Sequence, residues 1–265
     1  MRKFINMLKL NLYSIFSPKV IIVCIAMFAS MLFMTIGMYD SAFSSNYILN
    51  IIFIGPRNLA EDIGQVFMYL FYQVPILVIM GNFLYKQINE NSTYLIPKLE
   101  SKKKWYLCVV TTNFITNLLY YGVGVGIVVL CDKLYLLGNS SQKVIAIDAI
   151  KNIINTYSLV SILILLVATS FLLTLIQNTL SLVFKDSNIA FIANMVLILF
   201  FIELGAHNKL DKFLPPNQGI LIKHYTSNFS IIWSIIYTVI FSCILLFINF
   251  RIVMKNDLLI LSKGR

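Results

Sequence analysis

Apolar residues gather along this chain into long runs separated by short polar stretches. Six runs read as membrane spans: Val20 to Met38, Ile63 to Tyr85, Trp105 to Leu130, Tyr157 to Phe184, Ile189 to Leu204 and Phe229 to Phe250. A spanning helix needs about 20 mainly apolar residues, whereas a barrel strand needs about ten with alternating polarity. These runs do not alternate, so the pattern predicts an all-α polytopic membrane protein with six transmembrane helices. Pro75 should kink the second span. The fourth is long enough to tilt or to run beyond the bilayer. A shorter run, Tyr47 to Gly55, cannot cross and reads as an interfacial or re-entrant piece of the first outer loop.

The first residues form a different object. Arg2, Lys3 and Lys9 alternate with apolar residues such as Phe4, Met7, Leu8 and Ile15 up to Ser17, which predicts a basic amphipathic helix lying in the membrane surface. Pro18 and Lys19 interrupt it and no small-residue cleavage site follows, unlike a signal peptide. The expected organisation is an interfacial helix over 1–19, a six-helix transmembrane domain over 20–250 and a basic cytoplasmic tail over 251–265.

Composition agrees. Apolar residues make up 59% of the 265 and charged residues 12%, about half the charge of a soluble domain. That excludes an ordinary soluble globule and a disordered chain, and four cysteines are too few for a disulfide scaffold. The net charge of +10 takes its meaning from its distribution. With both termini inside, 14 of the 21 basic residues fall on inner segments, as the positive-inside rule requires. The expected location is a bacterial cytoplasmic membrane with both termini cytoplasmic. Anionic membrane lipid is a sufficient partner for this charge. Nucleic acid is not expected, because the basic positions flank spans.

Several chemistries lack their residues. There is no G-x-x-x-x-G-K-[ST] phosphate loop and no H-E-x-x-H. Paired carboxylates at helical spacing are missing from the spans, which disfavours a membrane protease or proton pump. No catalytic residue, metal site or cofactor is expected in this chain. His207 and His224, 17 residues apart in the last outer loop, read as surface residues. No internal disulfide is expected among Cys24, Cys108, Cys131 and Cys243. Gly122, Gly124 and Gly126 imitate a dinucleotide signature but lie inside a span. Close helix packing explains them better, with Gly122 and Gly126 as a G-x-x-x-G pair.

The polar residues inside spans recur at helical spacing: Asn113, Asn117 and Tyr120 in the third, Ser170, Thr174, Gln177 and Ser181 in the fourth, Gln65, Tyr69, Tyr72 and Gln73 in the second. The fifth carries Asn194 and Glu203, the one acid within a span. Such side chains avoid lipid. They serve either as interhelical hydrogen bonds or as a substrate path, whose candidates are Gln73, Asn113, Asn117, Ser170, Thr174, Asn194 and Glu203. Glu203 lies near the outer end, where a solvated or headgroup position is the competing reading.

The longest inner loop, Lys86 to Tyr106, reads KQINENSTYLIPKLESKKKWY. Asn91, Ser92 and Thr93 offer capping side chains, and Tyr94, Leu95, Ile96 and Leu99 give an apolar face. Lys98 and Lys102 to Lys104 surround that face, and Trp105 should anchor the next span at the interface. A short amphipathic element here is either a docking surface or a basic loop held against headgroups.

At this loop the chain resembles the membrane subunits of type-2 ABC transporters, the ABC-2 permeases, and among them those of Gram-positive peptide exporters and bacteriocin or lantibiotic immunity systems. The resemblance lies in the elbow ending in SPK, in the loop pattern Glu90, Thr93, Leu95, Ser101, Lys102 and Trp105, in the inner turn LVFKDSNIAF, and in the outer excursion FLPPNQGILIKHY. Lysine stands at 98 and 102 where arginine is common. The resemblance implies a permease subunit of an ATP-driven exporter moving a peptide, antimicrobial or other amphiphilic substrate. It implies a cytoplasmic coupling helix between spans two and three, with ATPase-coupling residues Glu90, Thr93, Tyr94, Leu95, Leu99, Ser101, Lys102, Lys103 and Lys104, joined by Lys185 and Asp186 from the inner turn. A separate ABC ATPase subunit would hold ATP and Mg, and a second permease copy or a related chain would complete the pathway. The alternatives are a stand-alone membrane immunity or sensor protein without transport, and then a secondary transporter.

Overall fold

The computed structural model describes residues 2–39, 45–88, 96, 99, 101–138 and 157–255. Each apolar run becomes a helix, because in lipid every backbone N–H and C=O must be paired internally. The spans are α2 (Pro18–Tyr39), α4 (Ile63–Lys86), α5 (Lys102–Gly138), α6 (Leu159–Phe184), α7 (Ser187–Asn208) and α9 (Ile231–Lys255). All six are long and apolar enough to cross a membrane, and the described residues contain no strand. The chain is a multi-pass helical membrane protein. The short helices are α1 (Arg2–Ile15), α3 (Ser45–Ile52) and α8 (Leu221–Thr226). Two 3-10 turns, Asp211–Phe213 and Pro216–Gly219, lie between α7 and α8.

Local chemistry sets the helix ends. Ser158 caps α6 by accepting from the Ser161 amide at 3.2 Å. At the other end Lys185 takes a left-handed conformation (φ 57°), and Asp186 then caps α7 by accepting from the Asn188 and Ile189 amides at 2.7 and 3.2 Å. The turn between these two helices is therefore only two residues long. Helix α4 continues through Pro75.

Helix α6 is the hub, packing against α4, α5, α7, α9 and the Pro216–Gly219 turn. Its partner α9 turns Ser234, Thr238 and Ser242 inward at four-residue spacing. Small polar side chains on that stripe let two membrane helices approach closely. The opposite faces carry exposed Ile236, Ile240, Ile244 and Phe247, as a lipid-facing surface should.

The surface-lying helix expected over 1–19 corresponds to α1, which buries Met7, Asn11 and Ile15 along one face. Asn11 Nδ2 donates to Thr112 Oγ1 at 3.2 Å, and Gln87 Nε2 donates to Asn11 Oδ1 at 3.1 Å. A polar residue on the apolar face thus ties α1 to α4 and α5.

Two expectations are corrected here. Trp105 is not an interfacial anchor: it is fully buried in the core, where its ring fills the junction at the start of α5. The G-x-x-x-G pair does not make the helix contact, since a Cβ at Gly122 or Gly126 would meet nothing within 4 Å. The packed glycine is Gly124, whose absent side chain is replaced by the ring of Phe28 on α2.

Candidate functional site: a polar seam beneath a re-entrant cap

The polar stripes converge. Gln73 on α4, Asn113 and Asn117 on α5, Ser170 and Thr174 on α6 and Asn194 on α7 are all buried. Tyr121 donates its hydroxyl to Gln73 Oε1 at 2.7 Å, and Gln73 Nε2 donates to Ser170 Oγ at 3.2 Å. One turn along α6, Thr174 Oγ1 donates to Asn113 Oδ1 at 3.1 Å, and Asn117 Nδ2 donates to the same oxygen at 2.8 Å. Gln177 Nε2 donates to the Leu77 carbonyl at 3.1 Å, and Asn194 Nδ2 to the Leu173 carbonyl at 3.2 Å. Tyr120 donates to the Tyr72 carbonyl at 3.0 Å. The row from Ser170 to Ser181 extends over about 16 Å at 1.5 Å per residue. Interhelical hydrogen bonding is thus what these stripes do in this conformation.

The seam is only half satisfied. Asn113 Nδ2, Thr116 Oγ1, Asn117 Oδ1, Gln177 Oε1, Asn178 Oδ1 and Asn194 Oδ1 are buried without a hydrogen-bond partner among the described residues. An unpaired buried polar atom costs about 1–3 kcal/mol. Such groups gain from water or from a polar ligand, and they can exchange partners.

Above the seam the chain folds back into the bundle. Pro216 to Leu221 is buried throughout, and Gly219 lies so close to Thr169 that a Cβ would sit 2.9 Å from its Cβ and Oγ1. Thr169 is ten residues into α6, about 15 Å along that helix. The segment between α7 and α9 therefore folds back against the bundle, where protein covers its irregular backbone. Ser170, the first seam residue on α6, comes one position after Thr169.

A buried ion pair holds this segment. Lys223 Nζ donates to Asp211 Oδ1 at 2.6 Å and to the Ile202 carbonyl at 2.8 Å. Asn217 Nδ2 donates to Asp211 Oδ1 at 2.9 Å and to the Phe201 carbonyl at 3.1 Å, while Ser227 donates to Asp211 Oδ2 at 2.5 Å. Gly205 on α7 makes room, because a Cβ there would strike Asp211 and Asn217. Burial pushes the Lys223 ammonium below the usual lysine range, and the Asp211 carboxylate opposes that shift. Gln218 supports the same structure, donating to the Asp211 and Leu214 carbonyls and accepting from Ser234 at 2.8 Å.

Of the two histidines read as surface residues, His207 is exposed, but His224 is buried, and this corrects the expectation. His224 Nε2 lies 2.9 Å from the Gln218 carbonyl, which can only accept, so that nitrogen carries the proton. Burial pushes the imidazole below the usual histidine range, partly opposed by this bond.

The run Tyr47 to Gly55 folds back into the protein as well. Leu49 to Ile54 is buried, Phe53 meets Tyr72 edge-on with centroids 5.3 Å apart, and the Ile222 amide donates to the Ile54 carbonyl at 3.0 Å. Two connecting segments thus join into one cap. Glu203 belongs to the cap and not to the seam. Its Oε2 accepts from the Leu59 amide at 2.8 Å and its Oε1 lies 2.7 Å from His207 Nε2, tying the segment between α3 and α4 to α7.

Of the coupling residues, Glu90, Thr93, Tyr94 and Leu95 lie outside the described residues. Leu99 is buried in the chain's own core. Ser101 caps α5, accepting from the Lys103 and Lys104 amides at 3.1 and 3.4 Å. Lys103, Lys104 and Lys185 are exposed, whereas Lys102 and Asp186 are half-buried.

Sequence reasoning did not single out Asp211, Lys223, Asn217, Tyr121 or Asn11. The available signals were the apolar run PPNQGILIKHY, too apolar for a solvated loop, and the four-residue spacing of Met7, Asn11 and Ile15. No protein-family model matches the chain, and no curated protein matches it significantly.

Proposed function

We propose that this chain is the membrane-spanning permease subunit of an ATP-driven exporter for an amphiphilic cargo such as a peptide or antimicrobial. The observation that carries the reading is the seam: a continuous row of uncharged, half-satisfied polar groups inside an apolar bundle, ending under a folded-back cap. Uncharged amides and hydroxyls suit a cargo with a peptide-like backbone better than a small ion, which calls for charged or carbonyl-lined sites. A closed seam with discrete alternative partners suits rigid-body alternation between two states. The sequence holds no phosphate loop, so the energy would come from a separate ATPase docking at the basic end beside Lys103, Lys104 and Lys185. A second permease copy or a related chain would complete the pathway, with the termini on the cytoplasmic side of a bacterial membrane.

The burial of the cap favours one alternative, a stand-alone membrane immunity or sensor protein without transport. Affinity purification from the native host discriminates the two. The exporter reading expects a stoichiometric phosphate-loop ATPase whose hydrolysis rises with cargo, and a loss of that stimulation in Lys103→Glu/Lys104→Glu. Full protective activity of the chain in cells stripped of any such ATPase sinks it.

A further inference from the structure

At the basic end, the last turn of α1 and the start of α2 stand away from the inner half of α4 and leave a cavity of ≈540 Å³. Such a volume is within the range of about 300–1,000 Å³ for small-molecule sites. Its chemistry is graded. Val20, Val78, Ile79 and Phe83 make an apolar wall, and Asn82, Lys86, Gln87 and Ser14 make a polar end. From Val78 to Lys86 the gradient extends over about 12 Å along α4.

The polar end has an unmet demand. Gln87 is 3% exposed and spends its Nε2 on Asn11 Oδ1, while its Oε1 has no hydrogen-bond partner among the described residues. The Ser14 hydroxyl donates to the Asn11 carbonyl at 2.8 Å, so its remaining capacity is also to accept. The site thus offers one ammonium, the Asn82 amide and two further acceptors. It asks for an anion that also carries hydroxyl donors, attached to an apolar chain.

We infer that this cavity binds one anionic phospholipid with a hydroxylated headgroup, a phosphatidylglycerol by chemistry. Its phosphate faces Lys86, its glycerol hydroxyls donate to Gln87 and Ser14, and an acyl chain lies along Val78 and Phe83. A choline headgroup has no hydrogen-bond donor, and an ethanolamine brings a second ammonium beside Lys86. The inference needs only the membrane setting and is independent of the exporter reading.

Native mass spectrometry of the full-length chain in detergent tests it, with dioleoyl-phosphatidylglycerol, dioleoyl-phosphatidylcholine and glycerol phosphate as probes. One phosphatidylglycerol should be retained in preference to phosphatidylcholine. Lys86→Gln should weaken that retention about fivefold, the worth of one lysine at a charged headgroup. Val78→Trp, which fills the cavity from a partly exposed position, should abolish it. Lys255→Gln, which removes an exposed basic residue that does not line the cavity, should leave it unchanged. Equal retention of phosphatidylcholine overturns the inference, as does an equal loss in Lys255→Gln, which would mean unspecific attraction to the basic end. Displacement by glycerol phosphate overturns the lipid assignment in favour of a soluble phosphate site.

Discussion

The cap and the seam are both buried and both polar, yet they are built on opposite terms. The cap contains full charges, and these are paired: the Asp211 carboxylate accepts from Lys223, Asn217 and Ser227, while only neutral atoms such as Asn217 Oδ1 and His224 Nδ1 have no partner among the described residues. The seam contains no charge, and many of its amides keep one atom idle. A buried charge without its partner is prohibitively unstable, so an ion pair in apolar surroundings has one arrangement. Neutral amides lose far less by exchanging partners. The difference suits a fixed closure above a rearrangeable interior.

The largest effect should come from breaking the ion-paired side. Asp211→Leu strands the Lys223 ammonium and should destabilise the chain by about 3–5 kcal/mol, read as a lower melting temperature in detergent. Asp211→Leu with Lys223→Met should recover most of that loss, because two apolar residues leave no stranded charge. Next comes packing. Gly219→Val forces the re-entrant turn away from Thr169 and should cost about 1–3 kcal/mol, while Gly122→Val, facing open space, should stay within about 0.5 kcal/mol.

The seam should respond differently. Asn113→Leu removes one amide among several and should cost only about 0.6–2 kcal/mol of stability, yet it should lower cargo export severalfold at equal protein levels. An equal loss of export and stability would reduce the seam to a structural element. The smallest effect is on pH. Burial holds the His224 pKa below its value in an unfolded chain, about 6.5, so the closed cap resists a proton that the opened chain accepts. Cap stability should be level above that value and fall as the pH drops below it. Hydrogen exchange of the Lys223 to Ser227 amides measures this, and His224→Gln should flatten the profile.

Much of the fold was legible because lipid imposes one rule on every span. All six spans follow from the apolar runs; caps such as Ser158 and Asp186 shift some ends by a few residues, while α5 runs eight residues past the expected Leu130. The seam was legible in part, since period alone puts Ser170, Thr174, Gln177 and Ser181 on one face of a helix. It could not show that Asn113 would meet Thr174, 61 positions away. The cap was the least legible. Lys223 reads as a solvated loop lysine until Asp211 and the Ile202 carbonyl, 12 and 21 residues distant, are known to surround it. Trp105 and the Gly122–Gly126 pair misled for the same reason. Composition gives a residue's preference, while long-range packing decides which neighbour meets it.

On the proposed function, the folded-back segment closes the upper end of a path formed by the seam. The most direct test of this closure is the reactivity of Ser170→Cys, built on a chain whose four cysteines, all free, are replaced by alanine. A membrane-impermeant maleimide is applied from the side of the cap. The account predicts no labelling while the Asp211–Lys223 pair is intact, and rapid labelling once Asp211→Asn loosens the cap in protein that remains folded by gel filtration. Labelling at the same rate in both would contradict it, and so would protection in both.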